Sequence, residues 1–124
     1  MLFKENAKPI FLQIADRICD DVMGGTHDEG DRIPSMRDYA ATLQVNANTV
    51  MRSYEHLQRE GIIFNRRGIG FFIAEGARDR ITAMSRESFL GEEMADIYRR
   101  LNLLGVTPDD LKERYEKYLN ETSR

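Results

Sequence analysis

Asn48 and Arg52 are the residues of this chain best suited to reading the edge of a base. They stand four apart, so on a helix they project from one face. An asparagine there can pair with an adenine edge and an arginine with a guanine edge. Asn46 and Thr49, beside them, suit phosphate oxygens or methyl groups. Arg37 falls in the first turn of a second predicted helix, where a cation opposes the helix dipole. That small penalty, with Ser35 and its neighbouring N–H groups, points to an anionic partner such as a phosphate. The run Arg66-Arg67-Gly68-Ile69-Gly70 joins charge suited to phosphates or a narrow minor groove with glycines that let a backbone approach another surface. Each group also has a plainer reading: a solvated helix face, a surface arginine near Asp31 or Asp38, and a hairpin with solubilising arginines.

Other chemistry finds little support. Cys19 is the only cysteine and sits in an apolar helical pattern, where a small buried hydrophobe is the expected role. His27 and His56 have no metal-ligand spacing with it, and no nucleophile stands with an acid and a base, so neither catalysis nor a cofactor is expected. The chain of 124 residues suits one small domain plus an appendage. No apolar run approaches the roughly 20 residues of a membrane span. Met1–Asn6 has no long apolar stretch of a signal peptide, so a cytoplasmic location without membrane contact is expected. The net charge of −3 is unusual for a binder of nucleic acid. It is unevenly spread: between Arg32 and Arg67 stand Arg32, Arg37, Arg52, Arg59, Arg66 and Arg67 against Asp38, Glu55 and Glu60, a local balance of +3. Phosphate attraction follows the local field, so an acidic whole leaves room for a basic face.

The elements that must hold these residues follow from periodicity. Phe11, Ile14, Ile18 and Val22 recur at helical spacing after Pro9, and Gly24-Gly25 closes that helix. Arg32-Ile33-Pro34 is extended. Ser35 then caps a short helix with Met36, Tyr39, Ala40 and Leu43 on one face, and Asn46 caps a third with Val50, Tyr54 and Leu57 inside. Two β-prone runs, Ile62–Asn65 and Phe71–Ala74, flank the basic tip as a hairpin. Helix, helix, turn, helix, hairpin is the order of a winged helix-turn-helix, whose third helix presents its start to the major groove.

Six segments from Pro9 to Ala74 sharpen this reading: Pro9-Ile10-Phe11-Leu12-Gln13-Ile14-Ala15, Gly30-Asp31-Arg32-Ile33-Pro34-Ser35-Met36-Arg37, Val45-Asn46-Ala47-Asn48-Thr49-Val50, Tyr54-Glu55-His56-Leu57, Glu60-Gly61-Ile62-Ile63 and Arg67-Gly68-Ile69-Gly70-Phe71-Phe72-Ile73-Ala74. In order and spacing they closely resemble the GntR family of bacterial transcription regulators. The short tail and the Asn-x-Asn-Thr-Val motif look like its YtrA-like subfamily, whose members are dimers often encoded beside ABC-type transporter genes. The resemblance implies DNA contact by Arg37, Asn48, Thr49, Arg52, Arg67, Gly68 and Gly70. Two positions depart from it. Met51 replaces an arginine found in many members, and Ala47 replaces the subfamily's frequent proline, which implies a different preferred operator.

The expected fold is mainly α with a small β-hairpin: a winged helix-turn-helix DNA-binding domain over 1–76 and a short helical dimerisation region over 77–124. Arg78 to Leu104 reads as one long helix in which Leu90, Met94, Ile97, Leu101 and Leu104 form a heptad stripe, expected to pack against a second copy or on its own domain. Thr107-Pro108 starts a last helix with Leu111, Tyr115 and Tyr118 on one side. The expected function is a dimeric, repressor-type regulator on a palindromic operator of double-stranded DNA. The alternative is a winged helix that binds another protein. A small-molecule effector would sit between the two regions or at the dimer seam, and no convergent polar cluster in the sequence marks it.

Overall fold

A computed structural model describes residues 8–123 of the chain; Met1–Asn6, read above for targeting, lie outside them. The first helix, α1, is Ile10–Met23 and buries Ile14, Ala15, Ile18 and Val22, the stripe expected from spacing with Phe11 left at its edge. A two-residue strand β1 (Arg32–Ile33) leads to α2 (Met36–Leu43). Gln44, at φ 57°, makes the left-handed turn into α3 (Ala47–Arg59). Strands β2 (Ile63–Arg66) and β3 (Gly70–Ile73) form the wing. β1 pairs antiparallel with the free edge of β3, giving a three-stranded sheet in the order β1-β3-β2. The sequence marked Arg32-Ile33 as extended; that it joins the wing is a long-range fact.

The core lies between the three helices and the inner face of the sheet. Val50, Ser53, Tyr54 and Leu57 of α3 are buried with Tyr39, Ala40 and Leu43 of α2 and with Ile33, Ile63 and Ile73 of the strands. Among the described residues, Ser53 is the buried polar side chain of this core. Its hydroxyl lies 2.6 Å from the Phe11 carbonyl, to which it donates, and ties α3 to α1. Cys19 packs against the same core, and burial, with Asp16 and Asp20 nearby, pushes its thiol up to about 12; it is a packing residue.

Helix α4 (Ala77–Ser88) buries Ala77 and Ile81 in this first unit, which by packing runs on to Met84, past residue 76. Its start is held by Glu29, whose carboxylate accepts from the N–H of Gly76 at 2.7 Å and of Arg78 at 3.1 Å. These bonds hold the Glu29 carboxyl below the usual glutamate range. Arg78 in turn donates to the Val22 carbonyl at the end of α1, and Arg80 donates to the carbonyls of Gly61 and Glu75.

The second unit starts at Ser85. The continuous helix expected from Arg78 to Leu104 is not formed. A π-helical turn, Phe89–Glu93, follows α4, and the backbone breaks at Met94 before α5 (Ala95–Leu103). Gly91, a poor helix former, sits in the middle of that turn. The Met94 N–H bonds the Phe89 carbonyl at 3.0 Å, five residues back, so one extra residue enters the turn and the heptad phase is lost. Leu90 therefore lies in the π turn, Met94 at the break, Ile97 and Leu101 on α5, and Leu104 at its end. Helix α6 (Pro108–Thr122) begins with the expected cap. Thr107 Oγ1 accepts from the Asp110 N–H and Asp110 Oδ2 accepts from the Thr107 N–H, both at 3.1 Å. No helix among the described residues is long and apolar enough to cross a membrane.

Tyr54 supplies the test of this packing. Its buried hydroxyl lies 2.6 Å from the Pro34 carbonyl, to which it donates. Tyr54→Phe is expected to cost about 1–2 kcal/mol of folding free energy by leaving that carbonyl without its partner. Urea denaturation at neutral pH checks this, and an unchanged midpoint would show the bond to be dispensable.

Candidate nucleic-acid interface

A cleft of about 400 Å³ opens where the starts of α2 and α3 meet the wing. Ser35, Met36 and Arg37 line it from α2, Ala47, Asn48 and Met51 from α3, and Ile69, Gly70 and Phe71 from the wing, with Arg32-Ile33 of β1 at its back.

Local chemistry fixes each wall. Ser35 caps α2, its Oγ accepting from the Asp38 N–H at 3.1 Å, and Asn46 caps α3, its Oδ1 accepting from the Asn48 N–H at 2.8 Å. Both side chains are thus committed to helix starts. The serine hydroxyl proton and the asparagine amide protons remain available to an incoming anion. Arg37 is exposed at the mouth, within the first turn of α2, so its charge and the dipole of that helix act at one place.

The wing tip is shaped by an arginine that sequence reasoning did not select as a site residue. Arg32 reaches from β1 across Gly70 and donates to the Ile69 carbonyl at 2.5 Å. A Cβ on Gly70 would lie 2.9 Å from Arg32 Nε and 3.1 Å from its Nη2, and Gly70 has φ +147°. Two constraints therefore meet at this glycine: the backbone conformation and the guanidinium lying over it. The Ile69 N–H closes the tip turn onto the Arg66 carbonyl at 2.9 Å. Arg66 and Arg67 are exposed, with the Arg66 guanidinium 5.5 Å from the centre of the Phe72 ring.

The structure brings together Ser35, Arg37, Asn48 and Gly70 around the cleft, with Arg66, Arg67 and Gly68 on the adjoining tip. Asn46, Thr49 and Arg52 do not line it. Arg52 stacks its guanidinium 4.2 Å above the Phe11 ring of α1, and Thr49 is half-buried beside the α3 start. The cleft residues outside the sequence-selected set are mainly apolar: Met36, Ile69 and Phe71, with Ala47 and Met51, noted above only as departures from a pattern. For Ala47 and Met51 a signal was available, since an apolar side chain off the buried stripe of an otherwise polar helix face is unusual. Arg32 gave none, because its partner lies 37 residues away.

The pattern of "Bacterial regulatory proteins, gntR family" matches residues 11–73, from α1 to the last strand of the wing. The chain belongs to the gntR family. This GntR-family chain is 36% identical over 109 residues to the HTH-type transcriptional regulator YhcF of Bacillus subtilis, covering 88% of each protein. It is 31% identical over 108 residues to the HTH-type transcriptional repressor YtrA of the same organism, covering 87% of this chain and 82% of YtrA. A crystal structure of a GntR-family regulator from Bacteroides thetaiotaomicron superposes with a TM-score of 0.78 at 47% identity, covering 92% of this chain and 99% of that one. The chain is thus a DNA-binding transcription regulator with a winged helix-turn-helix, and the cleft lies on the elements that such a fold turns toward duplex DNA.

Gly70→Ala tests the wing geometry. The variant is expected to lose about 1–3 kcal/mol through backbone strain and collision with Arg32, and chemical denaturation reads the loss. The same substitution in an Arg32→Ala background should cost less. Equal losses in both backgrounds would show that backbone conformation alone requires the glycine.

Proposed function

We propose that the chain acts as a dimeric repressor in the cytoplasm, binding a palindromic operator near transporter genes, with no catalytic activity of its own. The observation that carries the DNA side is the cleft itself, where two helix starts and an arginine-bearing tip converge. In this reading Asn48 enters the major groove and pairs with an adenine edge. Ser35, Arg37, Asn46 and Thr49 hold the flanking phosphates. Arg66, Arg67, Gly68 and Gly70 bring the wing against the backbone or minor groove. Arg52 leaves the Phe11 ring to reach phosphate or a guanine edge. Residues 1–76 carry this contact and 77–124 carry pairing.

The dimer rests on exposed apolar surface in the second unit. Ile97 and Tyr98 of α5, Leu104 at its end, and Leu111, Tyr115 and Tyr118 of α6 are all at least 42% exposed. Exposed apolar side chains on two short helices favour a partner that covers them. Leu90, Met94 and Leu101 add to the proposed seam, which is built from short segments and not from one long coiled coil. A small-molecule effector is compatible with this arrangement, and repression by occupying a promoter needs none.

Fluorescence anisotropy tests the first part, using the chain's own upstream DNA against a scrambled duplex at about 50 and 200 mM salt. Tight, sequence-dependent binding that falls with salt is expected. Arg67→Ala should weaken all duplexes alike and reduce the salt slope by about one. No preference for any duplex at either salt would favour a winged helix that binds protein.

Ile97→Glu tests the second part. Placing a charge in the proposed seam is expected to shift the chain to a monomer in sedimentation velocity and to weaken binding to a two-half-site duplex about 10-fold or more. An intact dimer would remove Ile97 from the interface.

A further inference from the structure

The surface that α3 offers to the cleft has an unusual composition. Ala47 and Met51 are four residues apart and so lie one above the other on one face, and both line the cleft beside Asn48. Neither belongs to the core: α3 buries Val50, Ser53, Tyr54 and Leu57, while Ala47 is exposed and Met51 is 39% exposed. The wing adds another apolar side chain to the same cleft, Ile69, at 52% exposed. Within the folded chain nothing requires a flexible thioether and a methyl to stand in water at the first two turns of this helix.

The cations of the cleft are placed elsewhere. Arg32 is engaged by the Ile69 carbonyl, and Arg37 stands on α2. Where α3 meets the cleft it therefore presents an amide flanked by apolar groups, with no guanidinium or ammonium. Guanine is recognised in the major groove by a cationic donor to its O6 and N7, and cytosine by an acceptor for its amino group. An alanine offers neither, and a thioether sulfur is only a weak acceptor. The group in the major groove that apolar side chains do match is the 5-methyl of thymine.

We infer that Ala47 and Met51 are specificity-determining residues that pack on a thymine 5-methyl in the operator, next to the base read by Asn48. This rests on the DNA-reading function above and adds the chemistry of one base position. Met51 is the adaptable part, since an unbranched thioether fits an irregular apolar contact, and Ala47 leaves room for the base to approach the helix backbone.

The test removes the methyl from the DNA and leaves the protein intact. A duplex is first selected by the full-length chain from a random-sequence pool. Each thymine is then replaced singly by deoxyuridine, and affinities are measured for wild type and for Met51→Gln, whose exposed site and similar length keep the fold. Wild type is expected to lose about fourfold at one or more thymines, the factor for taking one methyl group out of water. Met51→Gln should bind the deoxyuridine and thymine duplexes equally at that position. No sensitive thymine in the wild-type complex, or equal sensitivity in both proteins, overturns the inference. Failure to enrich any duplex would instead remove DNA reading itself, and the inference with it.

Discussion

The geometry of the cleft depends on Tyr54. Its ring is 1% exposed, its hydroxyl donates to the Pro34 carbonyl just before α2, and its ring stands edge-on to Phe71 of the wing at 4.9 Å between centroids. Tyr39 of α2 packs near it, with ring centroids 6.4 Å apart. One side chain of α3 thus touches all three walls. The walls need this, because each is too small to persist alone. An eight-residue helix lies below the length at which isolated helices hold in water, and a two-stranded hairpin is marginal by itself. Burying the tyrosine in their midst makes the spacing of two helix starts and a wing tip a property of the core. Burial also raises the hydroxyl well above the ordinary tyrosine range, so the donor stays protonated.

Around that centre, polar groups close the ends of elements. Ser53 links α3 to the first turn of α1, Glu29 fills the start of α4, Arg78 takes carbonyls at the end of α1, and Arg80 clasps the chain after α3. Apart from Ser53, whose carbonyl partner lies in the first turn of α1, each satisfies backbone groups that a helix end or tight turn leaves without partners. Apart from Ser53 they lie at the surface of the first unit, so their effect is mainly to fix where segments start and stop, while buried apolar contact supplies most of the stability. Arg32 belongs to the same class, but its carbonyl partner is in the wing tip, so a structural tie there also shapes the surface beside the cleft.

Much of the first unit was legible because its signals are local. Ser35 and Asn46 are caps whose partners lie two or three residues away, as is Thr107 in the second unit, and the buried faces of α1, α2 and α3 repeat at helical spacing. The six matching segments carried the family for the same reason. What was not legible is long-range or depends on phase. That β1 pairs with β3, that Arg32 lies on Gly70, and that Glu29 caps α4 are decided across about 40 residues of chain. The stripe from Leu90 to Leu104 fitted a heptad only while the helix was taken as regular. A single added residue in the π turn at Gly91 rotates everything after it. Helical spacing put Arg52 with Asn48, and the backbone agrees, yet the aromatic face of Phe11 draws the guanidinium to α1. Spacing gives the direction of a Cβ, not the end point of a long side chain.

The distribution of charge then separates attraction from discrimination. Arg66 and Arg67 stand on the wing and Arg37 at the start of α2, while the part of α3 that lines the cleft carries only Ala47, Asn48 and Met51. Cations contribute to affinity for any phosphate backbone and do so in proportion to their number. An amide and apolar groups contribute almost nothing until the right base edge is opposite them. The net charge of −3 is that of the whole chain, and the local balance of +3 between Arg32 and Arg67 is what a phosphate there would meet. Phosphate contacts add to specific and general binding alike, so the difference between the two has to come from groups that meet base edges. The acidic balance that looked out of place for a DNA-binding protein is therefore no obstacle to specificity, which rests on the groups that meet base edges and not on total charge.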